Sequence, residues 1–116
     1  MFHLKAVVIL IFVVAGTFAC FNSKPERYRI ADSKTFEASL FRQHCSICHG
    51  PEGDGKTLTD GKVIPSLRQG DLKRRTRPEI FQQISDGGNG MTPFRPQLTD
   101  REINSLADLV HDNLRQ

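Results

Sequence analysis

The chain of 116 residues contains no tryptophan, one tyrosine, two methionines and three cysteines, and each shortage narrows what it can be. A domain this small buries little core and often needs a cofactor, a metal or a cross-link to stay folded. Its formal net charge is only +3, and no basic stretch is interleaved with aromatic side chains that could stack bases. Both features argue against a nucleic-acid binder. No segment repeats, none is low-complexity, and no alternation of polar and apolar residues marks a β-strand. Apolar residues run together only near the N-terminus, from Ala6 to Phe21, short of the ~20 that a membrane-spanning helix wants.

That run belongs to "MFHLKAVVILIFVVAGTFAC". A short head carries Lys5, an unbroken apolar stretch follows from Ala6 to Ala15, and then come the small residues Gly16, Thr17 and Ala19. This is the layout of an export signal, so residues 1–19 read as a signal peptide, with retention as an anchor the alternative. Cys20 directly after Ala19 resembles the acylated cysteine of a bacterial lipoprotein. Phe18 and Thr17 depart from that pattern, which favours a small residue preceded by an aliphatic one. Lipidation would give the odd thiol a role; an ordinary signal peptide beside an incidental cysteine is the plainer reading. The implied location is the periplasm or the outer face of a bacterial membrane. Residues 20–33, "CFNSKPERYRIADS", carry no period and read as a polar tether. The folded domain is then 34–116.

Three helices are expected in that domain. The first runs from about Lys34 to about Cys45, with Asp32 or Ser33 as N-cap and Phe36, Leu40 and Phe41 at helical spacing. A turn-rich segment comes next, with five glycines and two prolines between Gly50 and Asp71. The second helix starts at "TRPE", where Thr76 and Glu79 form a capping box and Pro78 suits the first turn, and it ends near Asp86 before Gly87 and Gly88. The third starts at "TDRE" with Thr99 and Glu102 as a second capping box, and Ile103, Leu106, Ala107, Val110 and Leu114 share its apolar face.

The chemistry lies in "QHCSICHG". Cys45 and Cys48 are three apart, with His49 directly after the second. A metal ion, a redox disulfide and a covalently attached haem compete for such a group. In the haem reading, two thiols on one helical face add across the two vinyl groups on one side of the ring, and the following histidine ligates iron. A zinc site needs four ligands; these residues supply three, two of them sequence neighbours, and the fourth would be His44 or His111. A thioredoxin-like CxxC opens a helix after a strand, whereas this pair closes a helical pattern. Met91, in the glycine-rich "GGNGMTPF", is the sole methionine left after export and the candidate sixth ligand of an electron-carrying iron. Core filling is the bland role for a lone methionine. His111, near the third helix's apolar stripe, is the one substitute, and His44 reads as a surface residue. "GPEGDGKT" fits the nucleotide-binding pattern GxxxxGK[ST]. A helix precedes it, however, and Gly61 and Pro65 interrupt the segment where the pattern's helix belongs, so no nucleotide is expected.

Taken together, "LFRQHCSICHG", "GDGK", "IPSL", "GNGMTPF" and "LTDREINSLADLV" resemble a class I cytochrome c over about Phe36 to Val110. The resemblance implies an all-α cytochrome c fold, three main helices and a long loop around one covalent haem c. It implies attachment at Cys45 and Cys48, iron ligation by His49 and Met91, a Pro65 carbonyl that accepts the His49 Nδ1 hydrogen, and Leu67 lining the pocket. Phe41 would pack where the first and last helices cross. Two departures stand out: the family usually has Gly at the position of Glu37 and an aromatic near Leu109 or Val110, so a looser crossing is expected here.

The implied activity is single-electron transfer between redox partner proteins, without catalysis; the alternative is a haem sensor or minor peroxidase, which needs Met91 off the iron. Arg68 and Arg95 are candidates to face the haem propionates, with solvated surface as the plain alternative. "KRRTR", Lys73 to Arg77, is the densest basic run. Such runs are usually solvated faces; the functional reading is a docking patch for an acidic partner.

Overall fold

The computed structural model describes residues 26–115 together with Lys5. The remainder of the proposed leader and Cys20 lie outside the described residues, as do the side chains of Lys73 and Arg74. Helix α1 spans Phe36–His44, and a single further turn, α2, spans Ser46–His49. A β-ribbon comes next, with β1 (Lys56–Thr57) antiparallel to β2 (Val63–Ile64) and Lys56 opposite Ile64. A 3-10 turn at Asp71–Arg74 leads into α3 (Arg77–Asp86), and α4 (Asp100–Asp108) continues into a π-helical turn at Leu109–Asn113. Among the described residues, no helix is long and apolar enough to cross a membrane.

The chain is mostly helical, as expected, and both capping boxes form. Glu79 accepts from the backbone and hydroxyl of Thr76 at 2.6 and 2.8 Å, and Glu102 does the same at Thr99 at 2.8 and 2.7 Å. Three details differ from the sequence reading. The β-ribbon is unforeseen because two residues per strand are too few to show alternation. The N-cap of α1 is Thr35. Asp32 pairs with Arg29 at 3.1 Å, and the Ser33 hydroxyl is bound to Tyr28 and Thr35, so neither is available for the cap. In the π turn, the Leu114 N–H bonds back to the Leu109 carbonyl at 3.1 Å. That wider turn buries Leu109, Val110 and Leu114 together.

The core lies where α4 packs against α1 and α3. Ala38, Phe41, Ile103, Leu106 and Ala107 are fully or almost fully buried there. Ala38 and Ala107 supply small side chains there, and Leu109 and Leu114 are buried with them.

Residues 26–33 are docked rather than free. Ile30 is completely buried. Its N–H and that of Ala31 donate to the Glu52 carboxylate, both at 2.9 Å. Arg42 Nη1 donates to the carbonyls of Ile30 and Ser33 at 2.6 and 2.9 Å. Arg68 is the hub of this strap: Nε donates to the Glu52 carbonyl at 2.5 Å, and Nη2 to the Tyr28 carbonyl at 3.0 Å and to Glu52 Oε2 at 3.2 Å. The Arg68 side chain is 6% exposed and the Glu52 side chain 22%. Deleting one partner of a buried ion pair leaves the other charge uncompensated, at about 3–5 kcal/mol. Arg68→Ala is accordingly expected to lower unfolding stability by about 3 kcal/mol in chemical denaturation. A loss under about 1 kcal/mol would mean that the strap contributes little.

Candidate functional site

A single cleft gathers the sequence-marked residues. It holds about 1270 Å³, including the solvent at its mouth, and is bounded by α1–α2, the ribbon, α3 and α4. Cys45, Cys48 and His49 line it, as do Pro65, Leu67 and Met91. Phe41, Ile80, Ile84, Leu106 and Val110 carry the helical core into its apolar wall, and Leu58 and Ile64 extend that wall from the ribbon.

The attachment motif sits on a local stop in the helix. His49 N donates to the Cys45 carbonyl at 2.9 Å, and Gly50, at φ +80°, ends the turn. Cys45 is buried, Cys48 is exposed, and both are free thiols. Burial first, and then the neighbouring Cys48, push the Cys45 thiol up to about 12. A reactive redox cysteine needs the opposite shift. Among the described residues, no three His, Cys, Asp or Glu side chains converge as a metal site. Zinc and dithiol chemistry both lose ground.

Burial also holds the His49 imidazole below its ordinary pKa, so the ring is neutral near pH 7 with a lone pair to offer. Its Nδ1 is buried and takes no hydrogen bond among the described residues. The bond expected from Nδ1 to the Pro65 carbonyl is therefore not formed. Gly55 donates its N–H to the His49 carbonyl at 2.9 Å and packs against the 64–66 backbone, where a Cβ would fall 2.4 Å from the Ile64 carbonyl oxygen. The peptide is held by that contact while the ring nitrogen is left without an acceptor.

Met91 is presented by a tight reverse turn. Gly88 and Met91 exchange both backbone hydrogen bonds at 2.9 Å, and Asn89 and Gly90 between them have φ of +53° and +84°. Positive φ at both central residues is the type I′ geometry, for which Asn-Gly is the sequence signal. Gln83 on α3 braces the turn. Its Nε2 donates to the carbonyls of Gly87 and Gly88 at 3.0 and 3.1 Å and lies 3.9 Å from Met91 Sδ. After Met91 the chain returns to α3, with Phe94 N on the Ile84 carbonyl at 3.0 Å.

Several charged residues are placed differently from expectation. Arg68 is committed to the strap, and Arg95 pairs with Asp86 and Asp100 at 3.7 and 3.4 Å; neither lines the cleft. His44 does line it, half-buried and edge-on to Phe94 with ring centroids 6.1 Å apart. The last residue of α1 turns inward where a surface position was expected. His111 is exposed, with Nδ1 2.6 Å from Asp112 Oδ1, and stands outside the cleft. In the basic run, Arg77 is bound to Asp108 and Arg75 lines the cleft. Arg115 lines it too, and nothing in its sequence context marks it. Lys56 and Thr57 of "GPEGDGKT" are exposed in β1, without the helix that nucleotide binding needs.

Among protein families, the one described as "Cytochrome C oxidase, cbb3-type, subunit III" matches residues 37–110. The chain belongs to this family of class I c-type cytochromes. Cytochrome c6 of Parathermosynechococcus lividus is 28% identical over 75 residues, 65% of this chain and 84% of that protein. Cytochrome c6 of Gracilaria tenuistipitata var. liui is 30% identical over 71 residues, 61% of this chain and 64% of that protein. A solved structure, the KustC0563 c-type cytochrome, superposes with a TM-score of 0.59 at 28% identity, covering 67% of this chain and 95% of that one.

The cytochrome carries one covalently bound haem c and is a monohaem electron carrier. The cleft fits that group on its own terms: an apolar wall, two unoxidised thiols, a neutral imidazole with an orphaned nitrogen, and a braced thioether.

The Met91 turn also depends on Gly87, at φ +70°, where a Cβ would fall 2.5 Å from the Met91 carbonyl oxygen. Gly87→Ala is expected to cost about 3 kcal/mol from backbone strain plus collision. Gly61 has φ +86° but nothing within 4 Å, so Gly61→Ala should cost about 1 kcal/mol from strain alone. Equal losses in parallel denaturation curves would remove the close-approach argument.

Proposed function

We propose that the cytochrome is an exported electron shuttle in which Cys45 and Cys48 would hold the haem through thioethers and His49 and Met91 would hold its iron. A lipidated Cys20 tethers it to the outer face of a bacterial membrane. The observation that carries this reading is the convergence of both thiols, the unpartnered His49 ring and Met91 on one apolar cleft. When bound, the haem supplies one-electron iron chemistry.

His49 contributes a neutral imidazole, kept so by burial. Met91 contributes a soft thioether, which favours ferrous iron and raises the potential relative to two histidines. Leu67 and Pro65 close the pocket with the apolar wall, keeping water away and disfavouring the extra charge of the ferric state. With His49 and Met91 both holding the iron, no position would be left on it for a substrate, which supports a carrier rather than an enzyme. The redox partner is acidic: the cleft is lined by Lys62, Arg75 and Arg115 and by no carboxylate, and such a field steers an anionic surface toward it.

A pyridine test on protein matured in competent cells should report thioether-linked haem, and a colourless but folded product would refute the reading. In the ferric state the wild type should show the weak long-wavelength band of a methionine–iron bond. Met91→Ala should lose that band and bind added cyanide. A wild type that binds cyanide as readily as the variant is instead a sensor or minor peroxidase. Electron transfer with an acidic partner should slow as salt rises past about 0.1 M, where the screening length is about 10 Å; a rate indifferent to salt rejects the steering. The mass of the mature N-terminus reads Cys20: an acylated cysteine is expected, and a bare one sinks the tether.

A further inference from the structure

We propose that Glu52 is a positioning residue for His49: it ties the strap at residues 26–33 and the Arg68 guanidinium to the loop that follows His49, and so supports the imidazole side of the haem from outside the cleft. This rests on the haem site proposed above and gives a role at that site to a segment that the sequence presents as a tether.

The loop begins where the attachment turn stops. Gly50, Gly53 and Gly55 have φ of +80°, +74° and +80°, and three glycines in so short a stretch leave it little stiffness of its own. Two backbone bonds fold it: Gly53 N donates to the Gly50 carbonyl at 3.2 Å, and Gly55 N to the His49 carbonyl at 2.9 Å. Glu52 stands at its centre. Oε1 accepts from Ala31 N at 2.9 Å, and Oε2 from Ile30 N at 2.9 Å and from Arg68 Nη2 at 3.2 Å. The Glu52 carbonyl accepts from Arg68 Nε at 2.5 Å. The next two residues are held as well. The Gly53 carbonyl accepts from Leu67 N at 2.9 Å, and a Cβ on Gly53 would lie 3.2 Å from Leu114 and 3.5 Å from Phe41. Asp54 accepts from Arg27 Nη2 at 2.6 and 2.7 Å.

The strap is also fixed to α1, which leads into the two cysteines. Arg42 Nη1 bonds the Ile30 and Ser33 carbonyls, and the Arg42 carbonyl accepts from the Ser46 hydroxyl at 2.7 Å. Residues 45–49 therefore lie between two anchor points of one strap, Arg42 before them and Glu52 after. The inner side of the same unit is the cleft, which Phe41, His49 and Leu67 line. His49 depends on this support because its ring has none of its own. Nδ1 is buried without an acceptor among the described residues, so the direction of the imidazole is set through its main chain and the packing around it. Hydrogen bonds to an ionised carboxylate are roughly twice as strong as neutral ones. Glu52 accepts such bonds from two strap amides and a guanidinium, three residues from His49.

The test uses the haem-loaded full chain in wild type, Glu52→Gln, Ile30→Ala and the double variant. Glu52→Gln keeps the shape and removes the charge; Ile30→Ala loosens the strap without touching the loop. Amide exchange at Gly55 and Leu67 should quicken by about tenfold in either single variant. Ile80 and Ile103, whose amides bond at the starts of α3 and α4, should keep wild-type rates. The pattern of haem methyl proton shifts in the ferric protein, which follows the orientation of the axial ligands about the iron, should change in both. Because the two substitutions act through one contact, the double variant should show less than the sum of their effects; additive effects would separate Glu52 from the strap and reject the link. Glu52→Gln decides the matter if Ile30→Ala fails to mature. A thermal midpoint that falls while loop exchange and methyl shifts stay at wild type would assign Glu52 a purely structural role. Faster loop exchange under an unchanged methyl pattern would mean that the strap holds the loop but not the ring. Either result overturns the proposal. Haem content is read first by the pyridine test. If the wild type lacks thioether-linked haem, the proposed haem site fails and this inference with it; if haem is intact and neither reading moves, the positioning role alone fails.

Discussion

The structure depends on an apolar surface that the protein's own side chains cover from one side only. Phe41, Ile80, Ile84, Leu106 and Val110 belong both to the helical core and to the cleft wall. The helix crossing is filled by Ala38, Ile103, Ala107 and the leucines of the π turn, but the wall beyond it faces a group that is not polypeptide. Contiguous apolar surface of this kind is unfavourable in water and marks a binding site. A flat apolar cofactor fixed by two covalent bonds covers it without needing affinity of its own. The cofactor is then a structural element as much as a reagent, which is how a chain with four short α-helices among its described residues and no tryptophan maintains a core.

The loops that bring Pro65, Leu67 and Met91 to the cleft are held by backbone contact. Gly55 presses against the segment carrying Pro65 and Leu67, and Gly87 against the return of the Met91 turn. At both places a side chain would meet backbone that cannot yield. Gln83 adds a brace from α3, bonding two carbonyls of the turn and approaching the sulfur. The Met91 side chain is thereby held at the cleft, because positions set by packed elements are reproduced more closely than those on free loops.

How much could be read in the residues depends on how local each interaction is. "TRPE" and "TDRE" each contain both halves of a capping box, so the starts of α3 and α4 were visible. CSICH carries its whole chemistry in five residues, and Met91 stood out because no other mature methionine competes. The strap was hidden, since Ile30 and Arg68 meet Glu52 across 22 and 16 residues and "YRIADS" alone looks like linker. His44 was misread because helical spacing gives a face but not the position of Phe94, against which the ring lies. The π turn shifts the register of α4 by one residue, so Leu109, off the stripe at ordinary spacing, is as buried as Ile103. Asn-Gly before Met91 was a turn signal that the abundance of glycine obscured.

The arginines show how a modest net charge can still make a directed field. Arg27, Arg29, Arg68, Arg77 and Arg95 each face an acid, so their charges largely cancel where they stand. Lys62, Arg75 and Arg115 line the cleft without a carboxylate among them. The cleft that takes the cofactor is thereby positively charged. It opposes the added positive charge of ferric iron, in the same direction as the apolar wall.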